Sequence, residues 1–561
     1  MKYVFLVLVS VFSIAIAYGE SNDKSSKTFK IEYKYIRNGK VSDNGNYGFI
    51  FKDGIAFLSG KDDKIRSFID YNKRQNVNII SYKDELYKKV KHFDSLIKPD
   101  FGDKTENILG YKCNYASFNY FSNKIEVWYT IETEAKGSPY SSYLPNENSL
   151  VMKVLVNGGS GIIADTIYAI QDQKIIFPEN RAKEISDSEF EELKILSRYK
   201  SLTVFDNDTI NFDPSIKKGD ATDTATNVCY HFSKGSIIMK KIVLPEEVEN
   251  DWGVFAKLSC KSNGDAYDRT GSVFMINPDK SKNNILNALR DSIDQLPVFT
   301  DNNGKNYQGI IASNNYEPPV ELMRFFTTFG VNHFNSLREI NNYPWEKVAE
   351  YKQDISTIMP LENDTLWVGV FIGNYDKGGH IVSLELDFYP SYSDNDSTQK
   401  YIKPLFNTVN IMEMSGQNYG RFFNNDTLRV EIEIPENLQN PQLIYTSTGH
   451  GGWGNGDEFN QTLNEIFVDG KSVFSIIPWR TDCATYRMLN PASGNFSNGM
   501  SSSDLSRSNW CPGTLTPPYI INLDDVTPGK HKIEIVINQG PDEGNSFNHW
   551  SVSGVLIGDI K

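Results

Sequence analysis

The chain has 561 residues, 39% hydrophobic, 13% aromatic and 23% charged, which suits packed cores and argues against wholesale disorder. At ~100–200 residues per domain it has room for about three domains. A net charge of −14 with no local basic patch argues against a nucleic-acid binder and leaves a neutral or mildly charged ligand open.

Residues 1–17 read as a signal peptide. Lys2 supplies the positive start, residues 3–14 an apolar run, and Ala15-Ile16-Ala17 a cleavage site. The mature chain is therefore expected to be secreted or periplasmic. No later run of 18 apolar residues follows, so no membrane span is expected. The five cysteines, Cys113, Cys229, Cys260, Cys483 and Cys511, are odd in number, leaving at least one thiol unpaired. They form no CxxC and no Cys/His cluster at zinc spacing, so no metal or other cofactor is expected.

In chain order, residues 18–205 read as a β-rich domain with strands near 28–35, 47–58 and 124–133. The stretch 108–130, followed by 138–154, is similar to GLPGLI-type β domains. Ser186 with Glu189 three residues on fits a capping box opening a helix over 186–199. A polar linker is expected at 206–227. Residues 228–392 and 393–561 each show short alternating strands at sandwich spacing, among them 237–243, 272–276, 366–372, 381–388, 428–434, 442–446, 465–468 and 532–537. Asp469-Gly470 is a two-residue hairpin turn before the strand expected at 471–477.

Three stretches carry potential chemistry: Ala266-Tyr267-Asp268-Arg269; Thr448 to Phe459, a Gly-rich loop holding His450, Trp453, Asp457 and Glu458; and Arg507-Ser508-Asn509-Trp510-Cys511-Pro512-Gly513. A Gly-rich loop lets backbone approach a ligand closely, rings offer flat apolar faces, and paired carboxylates can activate water without a metal. The bland readings are as consistent with these residues taken singly. An Asp-Arg pair is usually a loop salt bridge, Arg507 near Trp510 a cation–π contact, and His450 a hydrogen-bonded loop histidine. On these terms the sequence gives an exported, three-domain β protein.

Together and in this order, the stretches resemble the peptide-N-glycosidase F family. Arg507, Trp510, Cys511, Pro512 and Gly513 match its Arg-x-x-Trp-Cys-Pro-Gly, Asp268-Arg269 its Asp-Arg, and Glu458-Phe459 its Glu-aromatic pair. The resemblance implies an all-β fold: two side-by-side antiparallel jelly-roll sandwiches, preceded here by the additional β-rich domain. It further implies Asp268 and Glu458 as catalytic carboxylates facing each other across the junction. Arg269, His450, Trp453, Arg507 and Trp510 would then bind substrate, with Trp510 along the sugar, and Cys483 and Cys511 would form a disulfide. Cys229 with Cys260 is a second candidate pair. The implied reaction releases whole glycans from N-linked glycoproteins or glycopeptides by cutting the asparagine amide, in a chain expected to be a monomer.

The chain departs from the family where a third functional acid is expected. The matching stretch, 366–377, places Phe371 there, with Asp376 nearest. This leaves a non-catalytic glycan-binding protein of the same fold as the alternative. A copper monooxygenase, which also uses paired jelly rolls, is disfavoured because none of the seven histidines forms His-x-His.

Overall fold

The computed structural model describes residues 27–560 apart from 60–63, 172–174, 221, 247, 278–281, 291–292, 392–398, 420, 452–455 and 542–547. The signal-peptide assignment and Trp453 lie outside the described residues. The chain divides into two compact units, residues 1–197 and 198–561.

The first unit is one twelve-stranded sheet. Thr28–Arg37 sits inside it, and successive hairpins carry the chain outward to Glu85–His92. The chain restarts at the far edge, Asp100–Ile108, and returns inward to Ser160–Ile170, which closes against Thr28–Arg37. Turn chemistry explains the hairpins: Asn38-Gly39, Asp53-Gly54 and Asn157-Gly158 all take positive φ. Asp53-Gly54 also breaks the single strand expected at 47–58 into Lys40–Lys52 and Ile55–Ser59. One face buries Ile31, Tyr33, Phe49, Phe118, Val127 and Val154. The helix Asp187–Leu196 carries the expected capping box: Ser186 accepts from the Glu189 N–H while the Glu189 carboxylate accepts from that of Ser186.

The second unit holds two antiparallel sandwiches. In the first, a four-stranded sheet faces a six-stranded one. Gly253–Ser262 shows why they pack: every second residue, Val254, Ala256, Leu258 and Cys260, is buried. Lys200–Ile210 pairs with His380–Tyr389 along the edge of this four-stranded sheet. Residues expected to close the first domain and open a linker are therefore a strand of the second unit. The second sandwich pairs two four-stranded sheets, one built on Leu438–His450 and His549–Ile560, the other on Leu428–Ile434 and Gly529–Ile537. The turn at Asp469-Gly470 forms as expected, with φ of 50° and 80°.

The sandwiches join side by side. Leu515–Thr516, far along the sequence, pairs with Val320–Phe326 and extends the six-stranded sheet of the first sandwich. Val320–Phe326 is buried at all seven positions, as expected of a strand covered on both faces. Its Glu321 and Arg324 form a buried ion pair at 2.6 Å. Arg324 Nη1 also donates to Thr448 Oγ1 at 2.8 Å and to the Ser551 carbonyl at 3.1 Å, on the second sandwich. Glu321 accepts from Ser272 and Ser553 hydroxyls. Each charge thus meets several partners, as a buried pair requires.

Candidate active site at the junction of the sandwiches

Asp268 lies in the loop between Gly253–Ser262 and Thr270–Ile276. Its neighbours hold this loop tightly. The Thr327 hydroxyl accepts from the Arg269 N–H at 2.7 Å and donates to the Tyr267 carbonyl at 2.9 Å. Arg269 Nε donates to the buried carboxylate of Asp265 at 2.9 Å, and Asp265 also accepts from the Tyr267 N–H. Arg269, expected to grip substrate, is therefore already engaged by Asp265, with its guanidinium over the rings of Tyr267 and Tyr375. The Asp268 side chain remains 16% exposed.

Glu458 follows the Gly-rich loop. Its N–H donates to the Gly451 carbonyl, and its own carbonyl accepts from the Ser508 N–H. The Ser508 hydroxyl donates to the Asp457 carbonyl. These bonds bind the Glu458 turn to the segment carrying Arg507, which is paired in turn with Arg480 by two backbone hydrogen bonds. The Cys483–Cys511 disulfide forms as the resemblance implied. Beyond it, the Gly513 N–H donates to the Phe326 carbonyl and the Phe326 N–H to that of Thr514, tying this segment to the strand of the first sandwich that leads into Thr327.

Arg507 stands at the centre. Its guanidinium is fully buried. Nη2 lies 3.5 Å from Asp268 Oδ2, and Nη1 contacts Glu458 Oε1. One cation thus spans carboxylates from the two sandwiches. Its Cζ is 4.5 Å from the Trp510 ring centre and 4.9 Å from that of Phe459. Burial raises the Asp268 carboxyl to about 6, with Arg507 holding it below what burial alone would give. Burial also lowers Arg507 to about 10, opposed by the Asp268 charge.

Three family models match the chain: peptide-N-glycosidase F, N terminal, over residues 201–388; peptide-N-glycosidase F, C terminal, over 418–557; and the N-glycanase peptide, N-terminal domain, over 31–193. A solved structure of PNGF-II in a P21 crystal is 38% identical, covering 95% of this chain and 100% of that one, with a TM-score of 0.79. PNGF-II in a C2 crystal is 38% identical over 95% and 98%, with a TM-score of 0.75. The chain belongs to the peptide-N-glycosidase F family. No curated protein matches it.

The first unit of this peptide-N-glycosidase F family member thus matches the N-glycanase N-terminal domain, a more specific assignment than the GLPGLI-type similarity. Asp268, Glu458, Arg507 and Trp510 converge at the junction, but Trp510 and His450 are only 3% and 4% exposed. Trp510 stacks on Phe326 and donates its Nε1–H to the Gly449 carbonyl. His450 packs against Trp510 and His549, and its Nε2 shares a hydrogen bond with Thr448 Oγ1. Burial holds the His450 imidazole well below its ordinary pKa. The two rings sit behind Arg507 and offer no free face to a sugar. Among the described residues, Tyr267 and Tyr375 are exposed rings nearby; Tyr267 lies in the Asp268 stretch but carries no motif of its own, and Tyr375 lies in none of the three stretches. Phe371 is buried in the core, where a carboxylate would be costly. Cys229 and Cys260 are both free, which corrects the second candidate pairing. Cys260 points inward, as the alternation of its strand dictates.

Proposed function

We propose that the protein is an exported amidase that hydrolyses the bond between an asparagine side chain and the innermost N-acetylglucosamine of an N-glycan. Family membership supports this reading. The observation that carries it is the sharing of Arg507 by Asp268 and Glu458 at the junction of the two sandwiches.

In this reading Asp268 is the general base. A carboxyl raised to about 6 is mostly ionised at neutral pH, yet more basic than an ordinary aspartate. It takes a proton from a water that attacks the asparagine side-chain carbonyl. The tetrahedral intermediate carries a negative oxygen, and the Arg507 guanidinium beside the two carboxylates supplies compensating positive charge. Collapse breaks the carbon–nitrogen bond, and Asp268 returns the proton to the departing glycosylamine. The peptide is left with aspartate and the glycan leaves whole. Glu458, from the longer loop, accepts hydrogen bonds from the attacking water or from a hydroxyl of the core sugar. Trp510 and His450 place Arg507, while Tyr267 and Tyr375 present exposed rings beside Asp268.

The test is incubation of a glycopeptide with wild-type and Asp268→Asn protein, followed by mass spectrometry. The wild type should release the intact glycan with asparagine becoming aspartate, and the variant should be slower by at least ~10³-fold. A cut between the two core N-acetylglucosamines, or glycan binding with no cleavage, would refute this reading.

A further inference from the structure

The N-terminal unit carries a group of exposed rings far more organised than scattered surface aromatics usually are. Phe121 is 89% exposed at the tip of the hairpin joining Tyr111–Tyr120 to Asn123–Thr130. Tyr120 and Tyr140 are 44% and 41% exposed. Ring centres step from Phe121 to Tyr120 at 4.6 Å, to Tyr143 at 6.3 Å and to Tyr140 at 6.2 Å. The rings form one continuous stepped shelf, each ring turned edge-on to the next at 70°, 73° and 62°.

Two features show that the shelf is built. Phe121 takes a φ of +50°, a region in which a bulky side chain is an outlier. Three other hairpin tips of the same sheet use Asn-Gly or Asp-Gly in this role, while Lys83 and Leu109 take the same conformation at two more. The hairpin thus holds a phenyl ring outward where Asn or Gly would be easier. The segment bearing Tyr140 and Tyr143 is pinned from beneath. The buried Ser138 hydroxyl lies 2.8 Å from the Tyr140 carbonyl and 3.0 Å from that of Tyr143, and the buried Asn76 amide donates to the Ser141 carbonyl at 2.7 Å. Tyr47 Oη donates to the Pro139 carbonyl at 2.9 Å. The rings are thereby ordered before any ligand arrives, which lowers the entropic cost of binding.

The size of the shelf bounds its occupant. The three exposed rings, Phe121, Tyr120 and Tyr140, present on the order of 400 Å², about half the ~800 Å² per partner of a stable protein interface. Three of the shelf's four rings are tyrosines and none is aliphatic. Such a surface combines flat apolar faces with hydroxyls at their edges, the complement of a pyranose with its C–H face and equatorial hydroxyls. We propose that the Phe121–Tyr120–Tyr143–Tyr140 shelf is an accessory carbohydrate site that holds sugar rings of an N-glycan by stacking. The choice of ligand rests on the proposed amidase reading; the existence of a sugar site does not.

The full-length protein should be passed over a column bearing a high-mannose N-glycan released from its peptide and coupled through its reducing end, which offers no amide to cut. Phe121→Gly and Tyr140→Ala should each weaken retention roughly tenfold, leaving kcat/KM on a short glycopeptide within about twofold of wild type. Phe121→Gly relieves the backbone and should not unfold the hairpin, while Tyr140→Ala leaves the hairpin sequence intact. Retention equal to wild type in both variants, or no retention of the wild type, overturns the proposal. So does a concentration-dependent dimer in sedimentation that both variants abolish, which would assign the shelf to self-association. If glycan cleavage is absent yet retention depends on Phe121, the amidase reading fails and the sugar site stands.

Discussion

Trp510 lies face to face with Phe326, their ring centres 4.3 Å apart and their planes 20° from parallel. The two belong to different sandwiches, and the Arg507 guanidinium lies over the same indole at 4.5 Å. Replacing Trp510 by Ala would open a cavity at the junction and remove the support behind Arg507. The expected cost is ~3–5 kcal/mol in stability together with a fall in kcat/KM of at least ~10²-fold. Trp510→Phe keeps a ring on Phe326 and loses the hydrogen bond to Gly449 and part of the indole volume, so it should recover much of both. Thermal unfolding and kinetics on one glycopeptide would check this. A Trp510→Ala protein with wild-type stability would show that the stack does not hold the sandwiches together.

The pH profile should report Asp268. A general base works ionised, so kcat/KM should fall on the acid side through a pKa of about 6. A rate–pH series on a glycopeptide gives this limb directly. Activity flat down to about pH 4.5, near the ordinary carboxyl range, would place the base elsewhere.

The same carboxyl makes a stability claim. Its folded pKa is raised from 3.8 to about 6, so the folded state holds the proton more tightly than the unfolded chain. The stabilisation by the neutral form is fully present below about pH 4 and lost as pH rises through about 6, on the order of 3 kcal/mol. Asp268→Asn removes that loss. The variant should melt higher than wild type at pH 7 to 8, and the difference should shrink toward about pH 4. Calorimetry at both ends tests it, and a variant less stable than wild type at neutral pH would contradict the burial argument.

Glu321 and Arg324 predict a different failure. Glu321→Gln would leave the Arg324 charge buried without its counter-ion, at a cost of ~3–5 kcal/mol. Arg324 also donates to Thr448, which shares a hydrogen bond with His450, so the loss should spread to the Trp510 side of the site. A double Glu321→Gln, Arg324→Met protein should recover much of the stability, since a buried pair can often be replaced by apolar groups. Equal melting temperatures for wild type and Glu321→Gln would show that the pair contributes little.

Much of this arrangement was legible in the residues. Ile237–Val243 and Leu428–Ile434 have the bounds their alternation predicts, and Asp469-Gly470 turns where its chemistry requires. Val320–Phe326 was not legible, because Glu321 and Arg324 interrupt its apolar run. Their partners, Ser272, Thr448 and Ser553, come from distant parts of the chain. The strand expected at 442–446 runs from Leu438 to His450 for a related reason: Thr448, Gly449 and His450 look like loop residues until Arg324, Trp510 and His549 cover them. In the site, the motifs marked Asp268, Glu458 and Arg507. Thr327 carries no motif, and its clamp on the Asp268 loop exists only once the strand is placed. The burial of Trp510 likewise depends on Phe326, a residue 184 positions away (510 − 326), and local spacing does not report it.

The pairing of Leu515–Thr516 with Val320–Phe326 has a consequence for how the protein is made. The first sandwich cannot complete its six-stranded sheet until residue 516 has been synthesised, and until then Val320–Phe326 is an open, largely apolar strand edge. Such edges recruit other chains. Premature stops or proteolytic nicks before residue 515 should therefore yield aggregates instead of a soluble half-molecule, and a chaperone that holds extended chains would have its greatest effect in that interval.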